Sequence, residues 1–417
     1  LKRLLESGIE KYSAKLSRGL NRHWSIAVAK ASKGTFCQLP PRAAYFHVPF
    51  CAHRCGYCDF TLIAGRDDLI GDYLRQLDRE LEFALGSLNS TGLIDVDTLF
   101  FGGGTPTHPS SEQLRLLLQI VQSRFQLTRG GEFSVEANPL DLDDEKIDVL
   151  ADGGMNRVSL GVQSFSPDAL TLLERDHRAE QIGDVVNRLR RRIRNISLDL
   201  IFGVPGQSLE NWRQTLRHAI DLAPQHISTY GLTWESGTAF GTRRDRGELS
   251  PVDEDLERDQ YALAMDELSS AGFEQYEISN FARPGARCRH NEVYWAGDEY
   301  WAFGPGAARY VNGRRETNIR SVLGWLARME QGQSPVADAE ELEPLHRAHE
   351  LLFLGLRRCD GIARDDFQRR TGISLDEIAG TAIAENVARG WLLDTGTAIR
   401  LTREGQFVAD RVVADFL

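Results

Sequence analysis

Residues 45–60 read YFHVPFCAHRCGYCDF. Cys51, Cys55 and Cys58 stand there at C-x3-C-x2-C spacing, after a β-like run from Ala44 to Val48 that Pro49 ends. A loop just past a strand can aim three thiolates at one small volume. Thiolates are soft ligands, which points to zinc or an iron–sulfur cluster. Structural zinc takes four closed ligands, usually in two spaced pairs, and no second C-x2-C pair occurs in the chain. His47 or His53 would have to complete a Cys3His site; alternatively the cysteines are ordinary buried residues. A [4Fe–4S] cluster on three cysteines leaves one iron without a protein ligand, open to a small chelating molecule.

Beyond the triplet the chain alternates between strand and helix patterns. Apolar positions recur at helical spacing from Asp67 to Leu88. The expected strands are Val96–Phe101, Glu132–Ala137, Arg157–Val162, Ile196–Phe202 and His226–Leu232, with helices between them. Gly102-Gly103-Gly104-Thr105-Pro106 closes one strand just before a helix that opens at Ser110, with Gln113 placed for a capping box. Glycines there let a ligand approach the backbone; the run lacks the Gly-Lys-Ser/Thr of a P-loop. Six strand–helix units predict a parallel sheet flanked by helices, a barrel or partial barrel. Function then belongs at the C-terminal ends of the strands. The cysteine loop, the glycines, Glu136, Gln163 and the segment after Leu232 all fall at such ends. That convergence favours iron–sulfur over zinc. Asp199, inside an apolar run, needs a basic partner such as Arg175 or a ligand's hydroxyls.

The chain of 417 residues carries a formal net charge of −11, which argues against a nucleic-acid-binding face. It has no run of eighteen apolar residues to span a membrane. The clustered triplet, rather than disulfides, suits a reducing compartment and a cytoplasmic protein. Residues 1–42 form a basic extension, read as a structural leader more readily than as an organellar transit peptide.

After the repeats, residues 235–248 show no period, and Phe273–Phe281 is expected to be a strand. Cys288-Arg289-His290-Asn291-Glu292-Val293-Tyr294-Trp295 gathers ligand-capable and aromatic residues. From composition alone it reads as a docked loop whose histidine satisfies a backbone group. Residues from 335 onward suggest helices, then a two-stranded wing, in a winged-helix-like domain without basic excess.

The motifs HVPFCAHRCGYCDF, FFGGGTPT, VEANP, SLGVQSF with LLERDH, LDLIFGVPGQ, YEISNFA and RHNEVYW occur in an order that resembles the oxygen-independent coproporphyrinogen III oxidase-like family of the radical SAM superfamily. The resemblance implies an α/β fold: a (β/α)6 partial TIM barrel over 43–285, a connecting segment 286–334 and a helical, winged-helix-like domain over 335–417. It implies a [4Fe–4S] cluster on Cys51, Cys55 and Cys58. It implies S-adenosylmethionine contacts from Tyr45, Tyr57, Gly103, Gly104, Thr105, Glu136, Gln163, Arg175 and Asp199. Oxidases of the family carry a fourth cysteine where this chain has Phe60. That departure, and the H-N-x-x-Y-W segment, resemble the family's heme chaperone branch, in which His290, Tyr294 and Trp295 would meet heme. The implied partners are heme or another tetrapyrrole, a low-potential electron donor and a heme-acceptor protein. The rival readings are a porphyrin-pathway oxidase, a two-S-adenosylmethionine radical methyltransferase and a zinc-stabilised binding protein with an inactive barrel.

Overall fold

The computed structural model describes residues 41–86 and 92–416; all of the basic extension but Pro41 and Arg42 lies outside them. Six strand–helix repeats build the first compact unit. In chain order they are β1 (Ala43–Val48), α1 (Ile70–Leu85), β2 (Ile94–Gly103), α2 (Ser111–Gln122), β3 (Phe125–Ala137), α3 (Asp144–Asp152), β4 (Arg157–Gln163), α4 (Pro167–Leu172), α5 (Ala179–Leu189), β5 (Asn195–Phe202), α6 (Leu209–Asp221) and β6 (His226–Gly231). The strands run parallel and in sequence order. The expected capping box closes on α2, with Ser110 and Gln113 exchanging bonds.

Successive side chains on each strand point to opposite faces. The outer face is apolar and packs under the helices: Phe46, Phe101, Val135, Leu160 and Leu198 are fully buried. Phe46 touches Phe101, Phe125 and Phe303, and each such ring contributes roughly 1.5–3 kcal/mol by leaving water. The inner face is polar on every strand after the first: Thr98; Glu132, Ser134 and Glu136; Arg157 and Ser159; Ser197 and Asp199; His226 and Ser228. Tyr230 shares that inner register and is 44 % exposed.

The expected single strand at 273–281 is instead two short ones, β7 (Glu274–Gln275) and β8 (Asn280–Ala282), paired antiparallel. The turn between them buries Glu277, which takes a bond from the Asn280 amide. β8 adds antiparallel to β6. β9 (Trp301–Phe303) adds parallel to β1 at the other edge. The sheet edges β9 and β7 do not pair with each other among the described strands, so the barrel is partial. Residues 235–248, expected to be irregular, contain α7 (Ala239–Asp245), whose N-terminus Thr238 caps. α8 (Glu254–Ser270) comes next. Cys288–Trp295 is not a loop either: it folds as α9 (Arg289–Ala296), ended by Gly297 in the left-handed conformation.

The unit closes with a three-stranded antiparallel sheet of β10 (Ala308–Val311), β11 (Arg314–Asn318) and β12 (Val336–Glu341). Because β12 pairs with β11, the second unit begins at Glu343, later than the expected 335. Its described part has helices Pro344–Gly355, Arg364–Thr371 and Leu375–Ala388, and strands Leu392–Asp394 and Ala398–Leu401 joined by Ile362–Ala363. This is the helical, winged arrangement expected. No helix among the described residues is long and apolar enough to cross a membrane.

Candidate functional site

The cysteine loop leaves β1 at Pro49 and is pinned at both ends by the parallel pairing of Phe50–Cys51 with Ile63–Ala64. Arg54 straps it from within, donating to the carbonyls of Cys58, Phe60 and Leu62. Cys51 Sγ lies 3.1 Å from the Thr105 hydroxyl. Cys55 Sγ lies 3.8 Å from the Arg175 guanidinium and 3.9 Å from the Glu174 carbonyl. Burial pushes the Cys51 thiol up to about 12 and the Cys58 thiol up to about 11. Thiols held in that way ionise only against a strong local positive charge, which metal coordination supplies. Three soft thiolate donors on one loop, with the Arg175 guanidinium beside Cys55, are a donor set that fits an iron–sulfur cluster.

Neither histidine proposed to complete a zinc site turns toward the triplet. His47 is buried, with Nδ1 at 3.0 Å from the Tyr45 hydroxyl and Nε2 at 2.6 Å from the Thr61 carbonyl. His53 pairs with Glu174 at 2.8 Å. Among the described residues no three His, Cys, Asp or Glu side chains are set to hold a single metal ion.

The glycine run wraps the loop from below. Gly103 has φ 118°, and a Cβ there would lie 2.6 Å from the His47 ring. Its N–H goes to Glu136 Oε2 at 3.1 Å. The Gly104 N–H goes to the Val48 carbonyl and the Thr105 N–H to the Phe50 carbonyl. These three donors are thus engaged within the fold, and a ligand there meets backbone atoms other than those N–H groups. Burial pushes the Glu136 carboxyl up to about 7, with Gly103 N–H pulling it back. Gln163 ends β4 with φ 63°.

Asp199 is not paired with Arg175. It accepts from Ser159 (3.0 Å), Ser228 (2.8 Å) and Ser197 (3.5 Å). Burial still raises its pKa. Arg175 reaches the Gly161 carbonyl at 2.8 Å and Cys55 instead. Tyr57 meets the edge of Phe240 from α7, and Tyr45 stacks on Phe100. Cysteine loop, glycine run, Glu136 and Arg175 are thus joined by direct contacts, with Asp199 on the same inner wall.

The other end of the lumen is closed by α9. His290 is 1 % exposed. Its Nδ1 lies 2.8 Å from the Thr98 hydroxyl and its Nε2 2.8 Å from the Tyr294 hydroxyl. The ring stacks on Phe100 at 5.1 Å and on Tyr45 at 6.4 Å. So the histidine satisfies hydroxyls, not the backbone group expected from composition. Burial, then the positive field of Arg157, pushes it down to about 3. Trp295 is buried on the same helix. His226 is held alike, between Ser197 and the Tyr276 hydroxyl.

Sequence patterns did not single out Glu132, Ser159, His226, Ser228 or the buried Arg157 as inner-wall residues. A period of two in polar residues, as in Glu132-Phe133-Ser134-Val135-Glu136, was the available signal, since it marks a strand with a polar inner face.

Comparison with known proteins places the chain in a family. Residues 45–219 match the radical SAM superfamily and residues 342–408 the HemN C-terminal domain. The chain is 35 % identical to heme chaperone HemW of Bacillus subtilis (strain 168) over 378 residues, 90 % of this chain and 99 % of that one. It is 33 % identical to heme chaperone HemW of Escherichia coli (strain K12) over 395 residues, 91 % of this chain and 99 % of that one. The structure of coproporphyrinogen III oxidase (HemN) from Escherichia coli superposes with a TM-score of 0.80 at 20 % identity, covering 90 % of each chain, a likeness of fold.

Proposed function

This chain belongs to the HemW family of radical SAM proteins, and we propose that it is a cytoplasmic heme chaperone that binds heme at α9 and passes it to an acceptor protein. Family membership implies a [4Fe–4S] cluster and S-adenosylmethionine binding. We assign the cluster to Cys51, Cys55 and Cys58. We assign S-adenosylmethionine to the rim formed by Tyr45, Tyr57, Gly103, Gly104, Thr105, Glu136, Gln163, Arg175 and Asp199. When bound, the cluster supplies a low-potential electron to the sulfonium, so an electron donor is a further partner. Arg175 places positive charge beside Cys55. Glu136 holds the turn at Gly103. Three serine hydroxyls fix the Asp199 carboxylate on the inner wall. α7 covers the loop at Gly56, away from water.

The observation that carries the heme reading is kinship with the heme chaperones HemW over nine-tenths of the chain. Iron takes the lone pair of a neutral imidazole. Burial favours the neutral form of His290, and its Nε2 is held by the Tyr294 hydroxyl of the same helix, which makes it the candidate iron ligand. Phe60, where the family's oxidases carry a fourth cysteine, disfavours the oxidase.

The test is hemin titration of the anaerobically reconstituted chain, followed by transfer to an apo-acceptor. Wild type is expected to bind and release heme, and His290→Ala to bind it about tenfold more weakly, or about 1.4 kcal/mol. Identical titrations of the two would sink the proposal. Protoporphyrinogen formed from coproporphyrinogen III would install the oxidase in its place.

A further inference from the structure

We propose that Glu132 is the positioning residue of α9, setting His290 for its ligand role; this rests on the heme reading above. α9 opens at Cys288, whose side chain makes no cap bond. A helix start left without a cap exposes N–H groups that must find acceptors, most urgently where the start is buried. Here the acceptor comes from another element. Glu132 projects from β3 into the lumen and is 6 % exposed. Its Oε2 accepts the Arg289 N–H at 3.0 Å and its Oε1 the His290 N–H at 3.2 Å. The same Oε1 takes the Ser134 hydroxyl at 3.1 Å and the Cys288 thiol at 3.5 Å. A carboxylate at that end is also favoured by the helix dipole.

The consequence falls on His290. Thr98 and Glu132 are register partners across β2 and β3. Thr98 holds the imidazole while Glu132 holds the backbone that carries it. Arg289 adds a second tie to β3, donating to the Gly130 carbonyl at 2.8 Å. Glu136, bound to the glycine run, lies on the same strand and the same face as Glu132. One rigid strand thus sets both the upper rim and the histidine below it.

The test is a double-mutant cycle on the full chain, read by hemin affinity and by the position of the Soret band. Glu132→Gln turns an amide N–H group toward the helix start. It is expected to weaken hemin binding about tenfold and to move the Soret band toward that of His290→Ala. The double variant should bind no more weakly than His290→Ala alone, and Glu132→Asp should restore part of the affinity. If Glu132→Gln does not fold, Glu132→Asp carries the same cycle with a smaller loss. Additive losses, or a Glu132 variant with wild-type affinity and spectrum, overturn the role of Glu132 while leaving the heme reading intact. Hemin binding indifferent to His290 overturns both.

Discussion

His290 shows how much a single side chain can encode. Each ring nitrogen faces a hydroxyl, Thr98 on one side and Tyr294 on the other. An iron ligand must give up one of those bonds, and Tyr294, on the same helix, is the partner that can withdraw without disturbing the sheet. If His290 is the iron ligand, as proposed, removing that hydroxyl would lower the barrier to heme entry. Tyr294→Phe is expected to speed hemin association several-fold in stopped-flow measurements, with a smaller effect on dissociation. An unchanged association rate would mean that the hydroxyl does not compete. Local spacing could not have paired the ring with Thr98, which is 192 positions away from His290.

Among the elements, α7 differs most from what the sequence pattern suggests. Its residues carry no helical period because only one turn is anchored: Phe240 is fully buried among Leu173, Ile201, Val204 and Leu232. That ring presses on the cysteine loop. The Phe240 N–H donates to the Gly56 carbonyl at 2.9 Å. A Cβ on Gly56 would lie 2.7 Å from the Phe240 ring and 2.8 Å from Glu174 Oε1. Gly56→Ala is thus expected to displace the loop between Cys55 and Cys58. It should cut iron and sulfide content after anaerobic reconstitution by more than half. Adding Phe240→Leu, which shortens the obstructing side chain, should recover part of it. Full iron loading by Gly56→Ala would show that the loop has room to move.

Over the whole molecule, the first helix and the last sheet of the barrel unit are tied by one buried carboxylate. Glu80 on α1 accepts the Gly304 N–H at 2.9 Å and the Asn318 amide at 2.6 Å. Burial pushes it up to about 7, with those two donors pulling the other way. A carboxyl raised in the folded state contributes stability below its unfolded value near 4.5, and loses that contribution as pH rises through about 7. Glu136 adds to the same window. Glu80→Gln stays neutral throughout, so its melting temperature relative to wild type should rise between about pH 5 and pH 8. The free-energy change behind that rise is about 3 kcal/mol. A difference independent of pH would show that Glu80 does not titrate there.

The strand–helix repeat and the loop that carries the three cysteines were legible from neighbouring residues alone. Alternating strand and helix periods, the cysteine spacing and the glycine run are local patterns, and they place the cluster loop and the rim on one end of a parallel sheet. The contents of the lumen emerged only once the chain was folded. The partners of Asp199 proved to be serines on three strands rather than Arg175. The start of α9 is capped from β3, and α7 is anchored by Phe240, buried among Leu173, Ile201, Val204 and Leu232 with its N–H on the Gly56 carbonyl. The physical cause is the same each time: a buried group takes whichever partner the fold brings within reach, and that neighbour is fixed by strand register and helix docking over distances along the chain that no local pattern records.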